Sequence, residues 1–246
     1  MDETTTKHQR SRSALRTSHG RRADEAYGSG AHHRVVEANR TARHATHRRR
    51  LDERGLTRML YVSRPIRTPR MTLRPFEAGD LGALHDLFSR EDVCRYLRWE
   101  PMDLDHARAK LEQRLRETRI ESDGDALMFA AVEEATGRVV GELMLRLESA
   151  ASRQGEVGWS FHPDVQGRGL ATEGAREMLR VGFDELGLHR IAAEGDPRNV
   201  ASVRVMEKVG MRREALFVEN EFLKGEWVGE IVCAILEAEW HGEREG

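Results

Sequence analysis

The segment "HPDVQGRGLATEGAREMLRVGF", His162 to Phe183, decides how the rest of the chain is read. Two glycines flank an arginine at Gly167-Arg168-Gly169, and an amphipathic pattern follows at once: Ala171, Ala175, Met178, Leu179, Gly182, Phe183 and Leu186 recur at helical spacing. The spacing predicts a helix that starts at Leu170 or Ala171 and runs to about Leu186. Its first N–H groups have no partner inside the helix, and the helix dipole favours an anion there. Gly167 and Gly169 carry no Cβ to hold a ligand away and can adopt positive φ. Arg168 and Thr172 add a cation and a hydroxyl. The arrangement suits a phosphate. The third glycine of G-x-G-x-x-G and the whole of G-x-x-x-x-G-K-[ST] are missing, so neither a dinucleotide fingerprint nor a Walker loop is present.

The surrounding pattern reads as one α/β domain with a mostly antiparallel sheet. "MTLRPF" is a strand ended by Pro75, and "DLGALHDLF" is a short helix. A longer helix, with Asp103 as its N-cap, has an apolar stripe of Leu104, Ala107, Leu111 and Leu115. Three strands follow, "ALMFAAVEE", "RVVGELMLRLE" and "GEVGWSFHP", the first two joined by the turn Ala135-Thr136-Gly137. After the glycine turn and its helix come the strand "HRIAAEG" and the helix "NVASVRVMEKVG", stopped by Gly210. Two last strands, "MRREALFVENEF" and "EWVGEIVCAILEAEW", meet across Lys224-Gly225.

Composition sets the outer bounds. The chain has 246 residues, 39% of them hydrophobic and 33% charged, and a net charge of -2. That near-neutral balance conceals a split, because residues 1–70 hold 17 Lys+Arg against 7 Asp+Glu, whereas residues 71–246 hold 23 against 35. Residues 1–58 have few large apolar side chains and read as a disordered basic extension. They are either a functional tail or an unselected leader ahead of a start at Met59 or Met71. Residues 59–70 read as a linker, 71–241 as the folded domain and 242–246 as a tail. Neither a secretory h-region nor an apolar run of membrane length is found, which points to the cytoplasm and away from a membrane partner. Cys94 and Cys233 lack metal-site spacing, so no metal is expected. The basic tail lacks aromatic interleaving and any nucleic-acid-binding motif, which argues against nucleic acid as a partner.

Two motifs carry a family resemblance. Gln166-Gly167-Arg168-Gly169-Leu170-Ala171 resembles the Q-x-x-G-x-[GA] signature of the GNAT superfamily of acyl-CoA-dependent N-acetyltransferases. "DPRNVASVRVMEKVGM" resembles the N-x-x-S-x-x-x-x-E-K-x-G-[MF] segment of its ribosomal-protein-alanine N-acetyltransferase-like branch, at Asn199, Ser202, Glu207, Lys208, Gly210 and Met211. "MTLRPFEAGD" and "RYLRW" are similar to the same branch. The resemblance covers about residues 68–241. It implies the GNAT fold, a mixed and mostly antiparallel sheet of about seven strands flanked by helices.

It also implies acetyl-CoA as co-substrate and an amine acceptor, either a protein N-terminus or a small amine such as a polyamine or aminoglycoside, in a monomer or homodimer. The pyrophosphate would sit on Gln166, Gly167, Arg168, Gly169, Leu170, Ala171 and Thr172. Backbone groups of Trp159, Ser160 and Phe161 would line the pantetheine, beside a β-bulge that splays two strands; the two aromatic side chains either join this lining or pack in the core. Asn199 would cap its helix and face the cofactor, and the Ser202 hydroxyl would help the thiolate leave. Glu207 and Lys208 read as helix-surface charges.

The chemistry needs an amine stripped of its proton, so a base is required. Glu156 is the first candidate, sharing a strand face with Gly158 and Ser160. Glu142 is the second candidate and a potential substrate contact, and Trp99 is expected to wall the acceptor cleft. One departure stands out. Many GNAT enzymes use a tyrosine near the last strands as general acid, but here the tyrosines are Tyr27, Tyr61 and Tyr96. That leaves Ser202 or water to protonate the thiolate, and it leaves open a catalytically silent acyl-CoA sensor.

Overall fold

A computed structural model describes residues 60–61 and 64–242, all within the unit Leu51–Gly246. The expected basic extension, residues 1–58, lies outside the described residues. Ten strands appear in chain order: β1 (Leu60–Tyr61), β2 (Ile66–Arg67), β3 (Met71–Arg74), β4 (Arg119–Ile120), β5 (Ala126–Glu133), β6 (Val139–Ser149), β7 (Gln154–Phe161), β8 (Arg190–Gly195), β9 (Arg212–Leu223) and β10 (Glu226–Leu236). The helices are α1 (Leu81–Phe88), α2 (Glu91–Cys94), α3 (Leu104–Arg114), α4 (Leu170–Arg180), α5 (Val200–Lys208) and α6 (Glu237–Gly242). Strands β1 and β4 form a small ribbon, and the other eight form one sheet in the order β2-β3-β5-β6-β7-β8-β10-β9. The stretch expected to be a linker therefore already contributes two strands. Among the described residues, no helix is long and apolar enough to cross a membrane.

All pairs in the large sheet are antiparallel except β7 with β8, which run parallel. Period-2 alternation splits the side chains between two cores. On one face Leu143, Leu145, Val157, Phe161 and Ile231 pack with Leu170, Met178 and Leu179 of α4 and Met206 of α5. Each fully buried aliphatic side chain there contributes about 1.5–3 kcal/mol. α4 lies close to the sheet at Gly174, where a Cβ would stand 2.6 Å from Leu143 Cδ1. On the other face Met128 and Ala130 pack with Phe76, Leu84, Leu87, Phe88, Cys94 and Leu111.

Several local expectations are corrected. Leu104 and Leu115 of α3 are 46% and 39% exposed, and the buried face is instead Ala107, Lys110, Leu111 and Arg114. Two cations turn inward because a carboxylate, Glu142, waits for them on β6. The helix after the glycine turn is regular only to Arg180 and continues as a π-turn over Val181–Glu185. At that junction Arg180, the last residue of α4, bonds Glu177 and Glu185 at 2.7 and 2.6 Å. The last strand stops at Leu236, whose N–H donates to Glu239 Oε2 at 2.7 Å. The chain then coils into α6, and Trp240 stacks on Phe183 with centroids 5.9 Å apart. Asp103 does cap α3, accepting from the His106 N–H at 2.8 Å, and Gly210 adopts φ +86° beyond α5.

Candidate active site

The site forms where the parallel pair separates. β7 and β8 are joined at Gln154–Arg190, Gly155–Ile191 and Glu156–Ala192, and at no later pair. Beyond Glu156, β7 bonds only β6, and beyond Ala192, β8 bonds only β10. Each strand then leads into a helix N-terminus, β7 through the glycine turn to α4 and β8 through residues 196–199 to α5. A cleft at the carboxyl ends of diverging parallel strands is a general ligand position in such sheets. The expected bulge near Trp159 is absent: β7 pairs with β6 in unbroken register from Gly155 to Phe161, and the irregularity lies at Leu147/Ser149. β8 parts from β7 while its pairing with β10 continues to Gly195.

The glycine turn has the predicted character. Gly167 and Gly169 adopt φ +74° and +81°, where a Cβ costs roughly 1–2 kcal/mol. Gly169 is itself the N-cap of α4 and offers no side chain to cap the helix. The first helical bond runs from the Glu173 N–H to the Gly169 carbonyl at 3.1 Å, so the N–H groups of Leu170, Ala171 and Thr172 precede the ladder. Gln166, Gly167, Arg168 and Gly169 are exposed, whereas the Leu170 side chain is buried and anchors the turn in the core. Arg168 pairs with Glu133 of β5, and that carboxyl is held below the usual range by the Thr136 hydroxyl and by Arg168.

Sequence reading missed Arg70. From the loop before β3 it donates Nη1 to the Arg168 carbonyl at 2.6 Å and Nε to Glu173 Oε2 at 2.7 Å.

Glu156 projects from the fork itself. Its carboxyl is pushed up to about 7, by burial first and then by Glu194 and Glu148, against Arg146 and Arg98. The side chain keeps 23% of its accessibility, and Arg146 Nη1 lies 3.3 Å from Oε2. Glu194 shares this face by alternation from Ala192, the partner of Glu156. Arg98 pairs with Glu221 of β9 and, at 3.2 Å, with Glu230 of β10. Glu148, Glu194, Arg98 and Arg146 carry no local motif; the first two and Arg146 meet Glu156 through strand pairing, and Arg98 from the loop after α2.

Of the other expected residues, Asn199 caps α5, its Oδ1 accepting from the Ser202 N–H at 3.1 Å. Ser202 is half-buried in the first turn of α5. Glu207 and Lys208 are exposed. Phe161 belongs to the core and Trp159 packs partly against it, so their side chains are structural while the β7 edge stays open toward β8.

Glu142 does not serve as expected. It is buried, both oxygens accept from Arg114 at 3.0 and 3.1 Å, and Lys110 Nζ lies 3.9 Å away. Burial alone would raise its pKa, but Arg114 and Lys110 outweigh that and hold it low. A carboxylate so engaged neither takes a proton nor meets an acceptor; it pins α3 to the sheet. Trp99 likewise turns inward, edge-on to Phe88 at 5.8 Å, with Lys110 Nζ 4.2 Å from its ring centre. Its neighbour Arg98 is the residue that reaches the cleft.

An open hollow of about 830 Å³ lies elsewhere, lined by Arg90, Arg95, Glu100 and Lys224 among others, and none of these site residues borders it. Among the described residues no cluster of His, Cys, Asp and Glu has the arrangement of a metal site.

Comparison with known proteins identifies the family of the fold. Residues 70–212 match the model of the acetyltransferase (GNAT) domain. An uncharacterized N-acetyltransferase of Bacillus subtilis, YnaD, is 33% identical over 177 residues, which is 72% of this chain and 99% of that protein. Spermidine N(1)-acetyltransferase of Escherichia coli is 27% identical over 70% of this chain and 89% of its own length. The crystal structure of a GNAT-family acetyltransferase from Bacillus anthracis superposes with a TM-score of 0.64 at 31% identity, covering 71% of this chain and 99% of that one.

Proposed function

The chain belongs to the GNAT acetyltransferase family and is an acetyltransferase; on that premise we propose that it moves the acetyl group of acetyl-CoA to a primary amine, with Glu156 as the base. The observation that carries this is the carboxyl of Glu156 at the fork of β7 and β8, raised to about 7 and still partly accessible. An ammonium has no lone pair to attack with, and a primary alkyl amine stays protonated up to about pH 10. A base poised near neutrality, acting directly or through one water, frees the nucleophile.

The residues present fit the co-substrate. Two αL glycines and an uncapped helix N-terminus favour a pyrophosphate, and the unpaired edge of β7 at Trp159, Ser160 and Phe161 favours the amides of a pantetheine arm. When bound, acetyl-CoA supplies an activated acetyl thioester. A backbone N–H on that strand edge polarises the acetyl carbonyl as charge builds on it. The Ser202 hydroxyl, on the helix that starts beside β8, donates to the departing sulfur, taking the place of the missing tyrosine. Asn199 holds the first turn of that helix and so holds Ser202.

We favour a small acceptor with more than one positive charge. Glu148 and Glu194 act on Glu156 with the same sign, Arg146 and Arg98 oppose them, and Arg98 is itself shared with Glu221 and Glu230, so carboxylates outnumber cations here and a second ammonium is attracted to this face. The similarity to a spermidine N(1)-acetyltransferase supports that choice. The Asn199–Met211 motif favours a second reading, in which the acceptor is a protein N-terminus. A free-thiol assay with acetyl-CoA and a panel of polyamines, aminoglycosides and N-terminal peptides tests both. Turnover with polyamines supports the first reading, and turnover with peptides alone supports the second. Binding of acetyl-CoA without turnover on any amine would instead indicate a silent acyl-CoA sensor.

A further inference from the structure

Arg70 lies outside every motif of the glycine turn, in the loop between β2 and β3, yet it braces the turn's backbone from behind. Its Nη1 donates to the Arg168 carbonyl at 2.6 Å and its Nε to Glu173 Oε2 at 2.7 Å. Its backbone N–H donates to Glu173 Oε1 at 2.9 Å, and that oxygen also accepts from the Thr68 hydroxyl at 2.6 Å. These bonds join residues 98 to 105 positions apart, so they tie the edge of the sheet to the start of α4.

Two consequences follow from elementary geometry. In a trans peptide the carbonyl and the next N–H point in opposite directions. With the Arg168 oxygen held by Arg70, the Gly169 N–H turns away from Arg70, to the side open for an anion. The second consequence concerns charge. Glu173 stands in the first turn of α4, where a bare carboxylate would repel a phosphate. Burial would raise its pKa, but Thr68 and Arg70 hold it below the usual range, so it stays ionised and fully engaged. The Arg70 side chain is 48% exposed, and its Nη2 stands 3.4 Å from where a Gly169 Cβ would be.

We propose that Arg70 is a positioning residue of the acetyl-CoA site: it fixes the Arg168–Gly169 peptide so that the Gly169 N–H faces the anion, and it neutralises Glu173. The proposal rests on the reading of the turn as the acetyl-CoA site.

Calorimetric titration of acetyl-CoA into the full chain tests it, using Arg70→Met, Arg70→Lys, Glu173→Gln and the double variant Arg70→Met/Glu173→Gln, with a thermal melt of each to confirm folding. Arg70→Met is expected to weaken binding by about tenfold or more, a loss typical of charge-assisted bonds. Arg70→Lys restores the charge without the fork and falls between. The double variant binds about threefold or more tighter than Arg70→Met, because the uncovered carboxylate is gone. KM for acetyl-CoA follows Kd, while kcat at saturation falls less than about threefold. Arg70→Met binding within about twofold of the natural chain overturns the proposal, as does a folded double variant no tighter than the single one. If the natural chain itself fails to bind acetyl-CoA, the reading of the turn falls and the proposal falls with it. Natural binding with an indifferent Arg70→Met overturns the proposal alone.

Discussion

Glu156 of β7 and Ala192 of β8 are the last residues at which these parallel strands remain paired, and everything proposed for catalysis is arranged around that separation. The antiparallel pairs on either side, β6 with β7 and β8 with β10, continue past it. The opening is therefore a local fork in a continuous sheet, with one carboxylate at its apex and one helix N-terminus at the end of each arm.

The base gives the first prediction. A carboxyl with a pKa of about 7 is ionised above that pH and protonated below it. kcat/KM for the amine should therefore rise with pH through about 7 and level off until the acceptor itself loses its proton near ~10. Glu156→Gln should remove that lower limb and lower kcat by about 10²–10⁴-fold. Initial rates from pH 5.5 to 9.5 for both proteins check it; an unchanged profile in the variant would remove Glu156 from the mechanism.

Ser202→Ala should lower kcat by about tenfold or more while acetyl-CoA binding changes by less than about threefold, because its hydroxyl acts on charge that develops only as sulfur departs. Equal losses in kcat and in binding would make Ser202 an ordinary cofactor contact.

Asn199 separates capping from cofactor binding. Asn199→Ala should cost about 1 kcal/mol of stability through loss of the bond to the Ser202 N–H. Asn199→Asp keeps an N-cap acceptor but adds a negative charge beside the proposed cofactor position, so it should keep stability and weaken acetyl-CoA binding. Urea melts and calorimetry on the pair distinguish the two roles.

The buried ion pair is structural. Arg114→Met leaves Glu142 in the interior with Lys110 as its remaining cation at 3.9 Å, and should destabilise the fold by about 3–5 kcal/mol. Chemical denaturation measures this directly. A loss below about 1 kcal/mol would mean that Glu142 is not held by this pair and reopen its place in the cleft.

Much of this structure was legible because its causes are local. Asp103 and Asn199 announce helix starts by residue type, Gly210 a helix stop, and Gly167 and Gly169 a turn in the left-handed region. Alternation along β7 set Glu156 on one face with Gly158 and Ser160, and the unbroken register with β6 keeps it there. What was missed joins distant residues. Arg70 meets Glu173 across 103 positions and Arg114 meets Glu142 across 28, and nothing local marks a surface-type cation as a brace or as buried. Leu104 and Leu115 misled for the same reason: apolar spacing suggested the buried face of α3, but pairing with Glu142 turned Lys110 and Arg114 inward instead. The helix Glu237–Gly242 was hidden in a run of strand-like residues because its stop signal is the Glu239 side chain accepting from the Leu236 N–H.

The central claim is that the turn from Gln166 to Thr172 holds the pyrophosphate of acetyl-CoA, and calorimetric titration of acetyl-CoA into the full chain and into Gly169→Glu tests it most directly. The account predicts saturable one-to-one binding to the natural chain and none to the variant, which puts a Cβ at φ +81° and a negative charge at the N-cap of α4. A folded Gly169→Glu protein that binds acetyl-CoA as tightly as the natural chain would contradict it.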